Sequence, residues 1–396
     1  MTLPKPIVPM SSPDLTDAEV QAVLDVIRTP NLSMGPKIQS FEEAFRQYLG
    51  CRHAIGVSSG TAGLHLCLRA ADIGLGDLVL TTPFSFVAST NVILYENATP
   101  VFVDVNPRTG NLDIAQVKQA VRDLLAGSES ARRWLPRLGA PRYGVLKGVL
   151  AVDVFGQPAD WDGLRAATRH TGLTIIEDSC EALGATYKGQ PAGMLGDYGV
   201  FGFYPNKQIT TGEGGMIVTN LDDEAALMQA MRNQGRAPGD NWLQHTHLGY
   251  NYRLDELSAA LGVVQMGRLE ELIARREQVA QLYQKCLTGF DGVELPFIAD
   301  TTTRQSWFVY VVRVAKGVER KELANRLAQR GIPVRPYFLP IHLQPYMVDR
   351  YGYEPRRYPV TEDLGARGLA LPFSGLMTEE QVEIVSTILK EEISRA

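Results

Sequence analysis

The sequence predicts an α/β fold: a three-layer, mainly parallel sheet domain followed by a smaller C-terminal α+β domain. Two observations carry this. Up to about residue 220, short apolar runs rich in β-branched residues alternate with stretches of helical periodicity, as in a parallel sheet covered on both faces. Beyond that point the runs thin out and long amphipathic stretches take over. A chain of 396 residues is ample for two cores.

The elements follow in order. Ala54-Ile55-Gly56-Val57 reads as a strand running through Ser58-Ser59-Gly60-Thr61 into a helix over 62–71. Leu78-Val79-Leu80-Thr81 is a second strand, broken by Pro83, and a helix over 87–95 leads to a strand over 100–105. Apolar runs at 148–154, 173–176, 200–203 and 216–219 supply four more strands, with a helix over 161–171. Helices are expected over 222–233 and, as one long element, over 255–289. A strand over 306–314, a helix over 321–330, an extended stretch over 332–337 and a closing amphipathic helix over 378–395 complete the reading. The division expected is 1–254 for the large domain and 255–396 for the linking helix and small domain. No internal repeat or low-complexity stretch is present. The least regular segment, 127–143, carries Arg132, Arg133, Arg137 and Arg142 and reads as a solvated loop, not a binding patch.

Composition narrows the partners. An apolar fraction of 45% and a net charge of −5 describe an ordinary globular chain and give no reason to expect nucleic acid or an acidic membrane. Cys51, Cys67, Cys180 and Cys286 are widely spaced, so neither a zinc site nor a disulfide framework is expected. The start, Met1-Thr2-Leu3-Pro4-Lys5-Pro6, lacks the apolar core of a signal peptide, and no run of apolar residues is long enough to span a bilayer. A reducing, cytoplasmic setting is the expectation.

The chemistry is carried by Lys207. It lies in Phe203-Tyr204-Pro205-Asn206-Lys207-Gln208-Ile209-Thr210-Thr211-Gly212-Glu213-Gly214-Gly215, downstream of an apolar strand ending in Glu177-Asp178-Ser179-Cys180. A strand that delivers an acid at its end, with a lysine in a glycine-rich turn, suggests pyridoxal phosphate (PLP). The lysine would hold the cofactor aldehyde as a Schiff base, and Asp178 would keep the pyridine nitrogen protonated. Asp178 could instead cap a helix or pair with an arginine. Glu177 should face the opposite side of the sheet by strand alternation. Glu181 could meet the cofactor edge or cap the following turn. Lys207 has no charged sequence neighbour, so a partly desolvated amine, free as nucleophile and proton carrier, is expected. Ser59-Gly60-Thr61-Ala62 opens a helix after a strand, an anion site or an ordinary cap. Phe86 could lie on the pyridine ring or serve the core.

Taken together, Ser59-Gly60-Thr61-Ala62, Pro83-Phe84-Ser85-Phe86, Phe155-Gly156-Gln157, Glu177-Asp178, the Lys207 turn and Gly249-Tyr250-Asn251-Tyr252-Arg253 resemble the DegT family of PLP-dependent nucleotide-sugar aminotransferases, with the fold-type I architecture. The resemblance covers nearly the whole chain. It implies Lys207 as the Schiff-base lysine, Asp178 as the pyridine-nitrogen partner, and Gly60 and Thr61 as backbone donors to the cofactor phosphate. It implies Phe86 as the stacking aromatic, Glu181 at a position usually held by glutamine near the ring hydroxyl, and Asn251 reaching the cofactor phosphate of a neighbouring subunit. A homodimer with sites at its interface follows.

The chain departs from the pattern at Gly202, where the family often has a phosphate-binding serine. A backbone N–H, a water or Ser179 is expected to replace it. The 127–143 segment is longer than usual. The implied reaction moves an amino group from an amino acid, most often L-glutamate, to a keto sugar linked to a nucleoside diphosphate. The cofactor cycles through pyridoxamine phosphate. The Thr210-Thr211-Gly212-Glu213-Gly214-Gly215 run looks more like members that aminate C4 than C3. Tyr250, Arg253 and His342 are candidates to meet the sugar diphosphate. The rivals are a sugar dehydratase, which carries histidine where this chain has Lys207, a cyclitol aminotransferase, and a non-catalytic regulator of the same fold.

Overall fold

The computed structural model describes residues 6–127, 129–141, 144–237, 239–241 and 243–395. The expectation about the chain start rests largely on residues outside that set, and Arg142 also lies outside it.

The central sheet collects β1 (His53–Val57), β2 (Asp77–Thr81), β3 (Thr99–Phe102), β4 (Val145–Val152) and β5 (Thr174–Asp178). A short hairpin, β6 (Thr186–Tyr187) and β7 (Gln190–Pro191), precedes its last two strands, β8 (Tyr198–Gly202) and β9 (Gly215–Thr219). The order is β1-β9-β8-β5-β4-β2-β3. The five strands from β8 to β3 are parallel, and β9 pairs antiparallel with β8 and with β1. Parallel strands buried on both faces need apolar residues at successive positions, which is why they read as continuous runs.

Helices α1 (Asp17–Ile27) and α2 (Pro36–Leu49) precede the sheet. Within it come α3 (Gly60–Ala70), α4 (Ala88–Tyr95), α5 (Ile114–Ala126), α6 (Trp161–Thr168) and α7 (Asp222–Arg232). Alternate strand residues divide between two cores. Ile55, Leu150, Ile176 and Val200 pack with α3, α4 and α7 on one face. On the other, Leu80, Val149 and Ala151 pack with α5 and α6, and Phe201 and Met216 pack with Phe41 and Phe45 of α2. The three-layer reading is the observed one.

Helix α8 (Glu256–Gly267) is followed by α9 (Leu269–Leu287), so the single helix expected over 255–289 is two. The break falls at Arg268, whose backbone leaves helical geometry (φ −104°, ψ 1°) and whose guanidinium is drawn to Asp14 and Glu19 at 2.7 and 2.8 Å. The first turn of α9 packs in the α2 and α8 core, while its later residues Val279, Tyr283 and Leu287 belong to a separate one. That core lies between α9, α10 (Arg320–Gln329), α13 (Glu379–Ser394) and a four-stranded antiparallel sheet. The sheet comprises β10 (Val293–Glu294), β12 (Tyr310–Val314), β13 (Arg335–Pro336) and β14 (Gly368–Leu371), while β11 (Thr302–Arg304) pairs with β6. Between β13 and β14 run α11 (Pro345–Tyr351) and α12 (Pro359–Arg367).

The strand expected over 306–314 begins only at Tyr310. The Ser306 N–H donates to Gly156, and the Trp307 and Phe308 carbonyls accept from Arg276, so this backbone is engaged outside the ladder. Gly156 sits at φ +86°, and a Cβ there would lie 1.6 Å from the Ser306 carbonyl oxygen, so only glycine permits the approach.

Candidate active site

In a parallel sheet the strand ends and the helix starts that follow them converge along one edge. Asp178 is the last residue of β5 and faces the α3 and α4 side. Its carboxylate is 5% exposed and accepts from the Ser89 hydroxyl at 2.7 Å and the Cys180 N–H at 3.2 Å. Among the described residues it has no ion-pair partner. No helix follows it, so neither the cap nor the arginine-pair alternative holds. A buried carboxylate with neutral donors alone is incompletely compensated, and a cationic N–H suits it.

Glu177 points the other way, as alternation requires. It is fully buried and accepts from the N–H groups of Gly193, Leu195 and Gly196 at 2.6–3.2 Å, which ties down the loop ahead of β8. Burial raises its pKa, and that of Asp153 beside it. The Ser179 hydroxyl donates between these two carboxyls, 2.7 Å from Asp153 and 3.0 Å from Glu177. That corrects the expectation that Ser179 contacts a cofactor phosphate: its hydroxyl is fully buried and already engaged.

Lys207 holds its side chain 14% exposed, with Nζ 3.9 Å from Glu181 Oε1 and 3.9 Å above the centre of the Phe308 ring. Glu181 does not cap a turn. Its other oxygen accepts from the Phe155 N–H at 2.9 Å. Burial pushes its pKa up to about 7 despite the opposing charge of Lys207. Cys180 lies among these groups, its thiol raised by burial and sensitive to the charges of Asp178, Lys207 and Glu181. The structure therefore gathers Lys207, Asp178 and Glu181 around one place.

Gly60 and Thr61 open α3. Ser59 caps the helix by accepting from the Ala62 N–H at 3.1 Å, leaving the first helical N–H groups without an intrahelical acceptor. A Cβ on Gly60 would meet the Cys180 sulfur at 2.7 Å, so the bare backbone is required beside that thiol. At Gly202 a Cβ would make only ordinary contacts, 3.5 Å from the same sulfur, so space does not exclude a serine there. Phe86 projects from the turn after β2 and is 65% exposed. Free helical N–H groups, a buried carboxylate without a cation and a lysine amine with one distant acid together fit the phosphate, ring nitrogen and aldehyde of PLP.

The proposed substrate residues fare differently. His342 is fully buried, 3.2 Å from Glu362 and edge-on to Tyr358 at 4.8 Å, so it cannot meet a substrate in this structure. Burial also lowers its pKa. Tyr250 stacks on Tyr252 at 4.9 Å and reaches toward Glu96, which pairs with the buried His65. Arg253 donates to Asn233 at 3.0 Å and Gln234 at 3.4 Å. Asn251 is exposed. None of these is brought to Lys207 by a contact in the chain.

Three contributors escaped the sequence reading. Ser89 steadies Asp178, and Phe308 underlies the Lys207 amine. Arg276 of α9, 4% exposed, donates to the carbonyls of Asn206, Lys207, Trp307 and Phe308 at 2.5–3.3 Å. Burial with no carboxylate in contact lowers its pKa to about 10. Arg276 sits in an Arg275-Arg276 pair of which only Arg276 is fully buried, and its spacing of three and four residues from Leu272, Ile273, Val279 and Ala280 is the signal that could have found it. The segment read as a solvated loop is also more ordered than expected. It holds a 3-10 turn, Glu129–Arg133, and both Arg133 and Trp134 bind Asp123 at 2.8 Å.

The model of the DegT/DnrJ/EryC1/StrS aminotransferase family matches residues 13–390. A GDP-perosamine synthase of Caulobacter vibrioides is 36% identical, over 98% of this chain and 98% of its own. The solved structure of S. venezuelae DesV, titled as a complex with a ketimine intermediate, superposes with a TM-score of 0.85 at 30% identity, over 99% of this chain and 100% of that one. Helicobacter pylori PseC, an aminotransferase of pseudoaminic acid biosynthesis, gives 0.87 at 25% identity, covering 98% and 100%.

Proposed function

We propose, from the premise that this chain belongs to the DegT/DnrJ/EryC1/StrS aminotransferase family, a PLP-dependent one, that it transfers the amino group of L-glutamate to C4 of a keto sugar carried on a nucleoside diphosphate. The single observation that carries the reading is Lys207 beside the buried Glu181, on the same strand-end edge as Asp178. The nucleotide-sugar part is supported by relatives named for such sugars, and the product would serve polysaccharide or glycoconjugate synthesis.

PLP, when bound, supplies an electron sink for the bonds at the reacting nitrogen. The residues of this chain do the rest. Lys207 would hold the cofactor aldehyde until the donor amine displaces it, and the freed lysine amine would then take the proton from the donor α-carbon and later deliver one to the sugar carbon that receives nitrogen. Asp178 keeps a proton on the ring nitrogen, and Ser89 holds Asp178 in place. Gly60 and Thr61 bind the phosphate through backbone N–H groups at a helix start. Glu181 orients the ring edge, and Phe86 covers the ring face and excludes water.

The active unit is a homodimer, supported by the exposure of Asn251 and by exposed Phe86, Tyr204, Leu243 and Leu248. No helix of the described residues is long and apolar enough to cross a membrane, and we place the enzyme in the cytoplasm. The division into 1–254 and 255–396 is our proposal as well, with α9 reaching from one core to the other.

The test is a screen of nucleotide-linked 4-keto and 3-keto sugars with L-glutamate, followed by mass spectrometry of the aminosugar. Turnover of 4-keto acceptors alone supports the reading. Turnover of 3-keto sugars or cyclitol ketones instead contradicts its acceptor.

A further inference from the structure

A cavity of about 650 Å³ lies between the 129–141 segment and the loop that links α11 to α12. Its walls carry five arginines, Arg132, Arg133, Arg137, Arg356 and Arg357, against one acid, Glu354. The two walls are more than two hundred residues apart in sequence and are tied together. Arg137 pairs with Glu354 at 2.6 Å, Arg357 donates to the Arg133 carbonyl, and the Leu138 N–H donates to Tyr351 at 3.0 Å. Arg133 is neutralised by Asp123 at 2.8 Å. Arg132, Arg356 and Arg357 have no carboxylate within ion-pair distance among the described residues. The Arg356 N–H is held by Glu362 at 2.8 Å, which fixes where that side chain leaves the backbone.

Three uncompensated guanidinium groups around one hollow, in a chain of net charge −5, are an arrangement that like-charge repulsion opposes. An anion removes that repulsion, and planar guanidinium forks match phosphate oxygens. Leu135, Pro136 and the floor residue Tyr353 add an apolar wall. The volume is that of a small-molecule site.

The place is not the edge that holds Lys207. The 129–141 segment precedes Val145, the first residue of β4, whereas Asp178 ends β5, which runs parallel to β4. None of Lys207, Asp178, Glu181, Gly60 or Phe86 is among the residues that line the cavity.

We infer that this cavity is a second anion site, for a small molecule carrying a diphosphate, either inorganic pyrophosphate or a nucleoside diphosphate. The bound diphosphate spans Arg132 on one wall and Arg356 and Arg357 on the other, and it fastens the 129–141 segment to the loop before α12.

Phenylglyoxal labelling of the PLP-loaded protein, read residue by residue by peptide mass spectrometry, tests this. Pyrophosphate or guanosine diphosphate at millimolar concentration should slow labelling of Arg132 and Arg356 by about tenfold, while sodium chloride at matched ionic strength leaves it unchanged. The compound effective at the lower concentration identifies the source. In Arg356→Glu, an exposed position, protection of Arg132 should be lost while the visible absorbance of the bound cofactor stays as in wild type. Labelling insensitive to both compounds, slowed equally by chloride, or protected as well in Arg356→Glu would overturn the inference.

Discussion

Arg276 reaches from α9 to the backbone of Lys207, donating to its carbonyl at 2.5 Å, and the same guanidinium holds the carbonyl of Phe308, whose ring lies under the Lys207 amine. One buried cation thus fixes both the loop that carries the lysine and the surface on which its amine rests.

Replacing Arg276 with methionine keeps the apolar bulk but leaves four buried carbonyls without their donor. The expected cost is about 3–5 kcal/mol of stability, since each unsatisfied buried group costs about 1–3 and relaxation recovers part. Arg276→Lys should recover less than half, because an ammonium cannot reproduce the planar fork. Urea unfolding of the three proteins checks this, and an Arg276→Met as stable as wild type would contradict it.

Glu181 gives a pH dependence. Its folded pKa of about 7 lies above the ordinary 4.5, so the folded protein holds a proton that the unfolded chain has lost. Folding stability from this group is full below about pH 4.5 and is lost as pH rises through about 7. Glu181→Gln has no such loss. In the cofactor-free protein, its stability relative to wild type should improve by about 2–3 kcal/mol between pH 5 and pH 8. Parallel stability curves over that range would count against the assignment.

Ser89→Ala removes the stronger of the two hydrogen bonds to Asp178 and leaves its other oxygen on the Cys180 N–H. The rate of the glutamate half-reaction should fall about tenfold, with a stability loss near 1 kcal/mol. Asp178→Asn should lose about a hundredfold or more and still bind the cofactor. Stopped-flow absorbance separates the two. Equal rates for Ser89→Ala and wild type would mean that Ser89 does not steady the acid.

Much of this was legible in the residues. Buried parallel strands have to be apolar on both faces, so β4 and β5 stand out as continuous runs, and an acid closing such a run, as Asp178 does, is costly without a purpose. The Lys207 turn announces itself through its glycines, which the backbone uses: Gly212 sits at φ +79°, and a Cβ on Gly215 would lie 2.6 Å from the Ser59 backbone. What stayed hidden depends on packing between distant elements. The break at Arg268 comes from Asp14 and Glu19, some 250 residues away. Ser89 and Phe308 reach the site from α4 and from ahead of β12. His342, a candidate to meet the sugar diphosphate, is instead enclosed by Tyr353, Tyr358 and Glu362, which lie 11 to 20 residues further along the chain.

The measurement that tests the central claim most directly is an absorbance titration of wild type and Lys207→Ala with PLP, then with L-glutamate. The account predicts a visible band in wild type that glutamate converts to the pyridoxamine absorption, and a variant with neither the band nor turnover. A wild type that binds no PLP, binds it but ignores amino donors, or is matched by Lys207→Ala would contradict it.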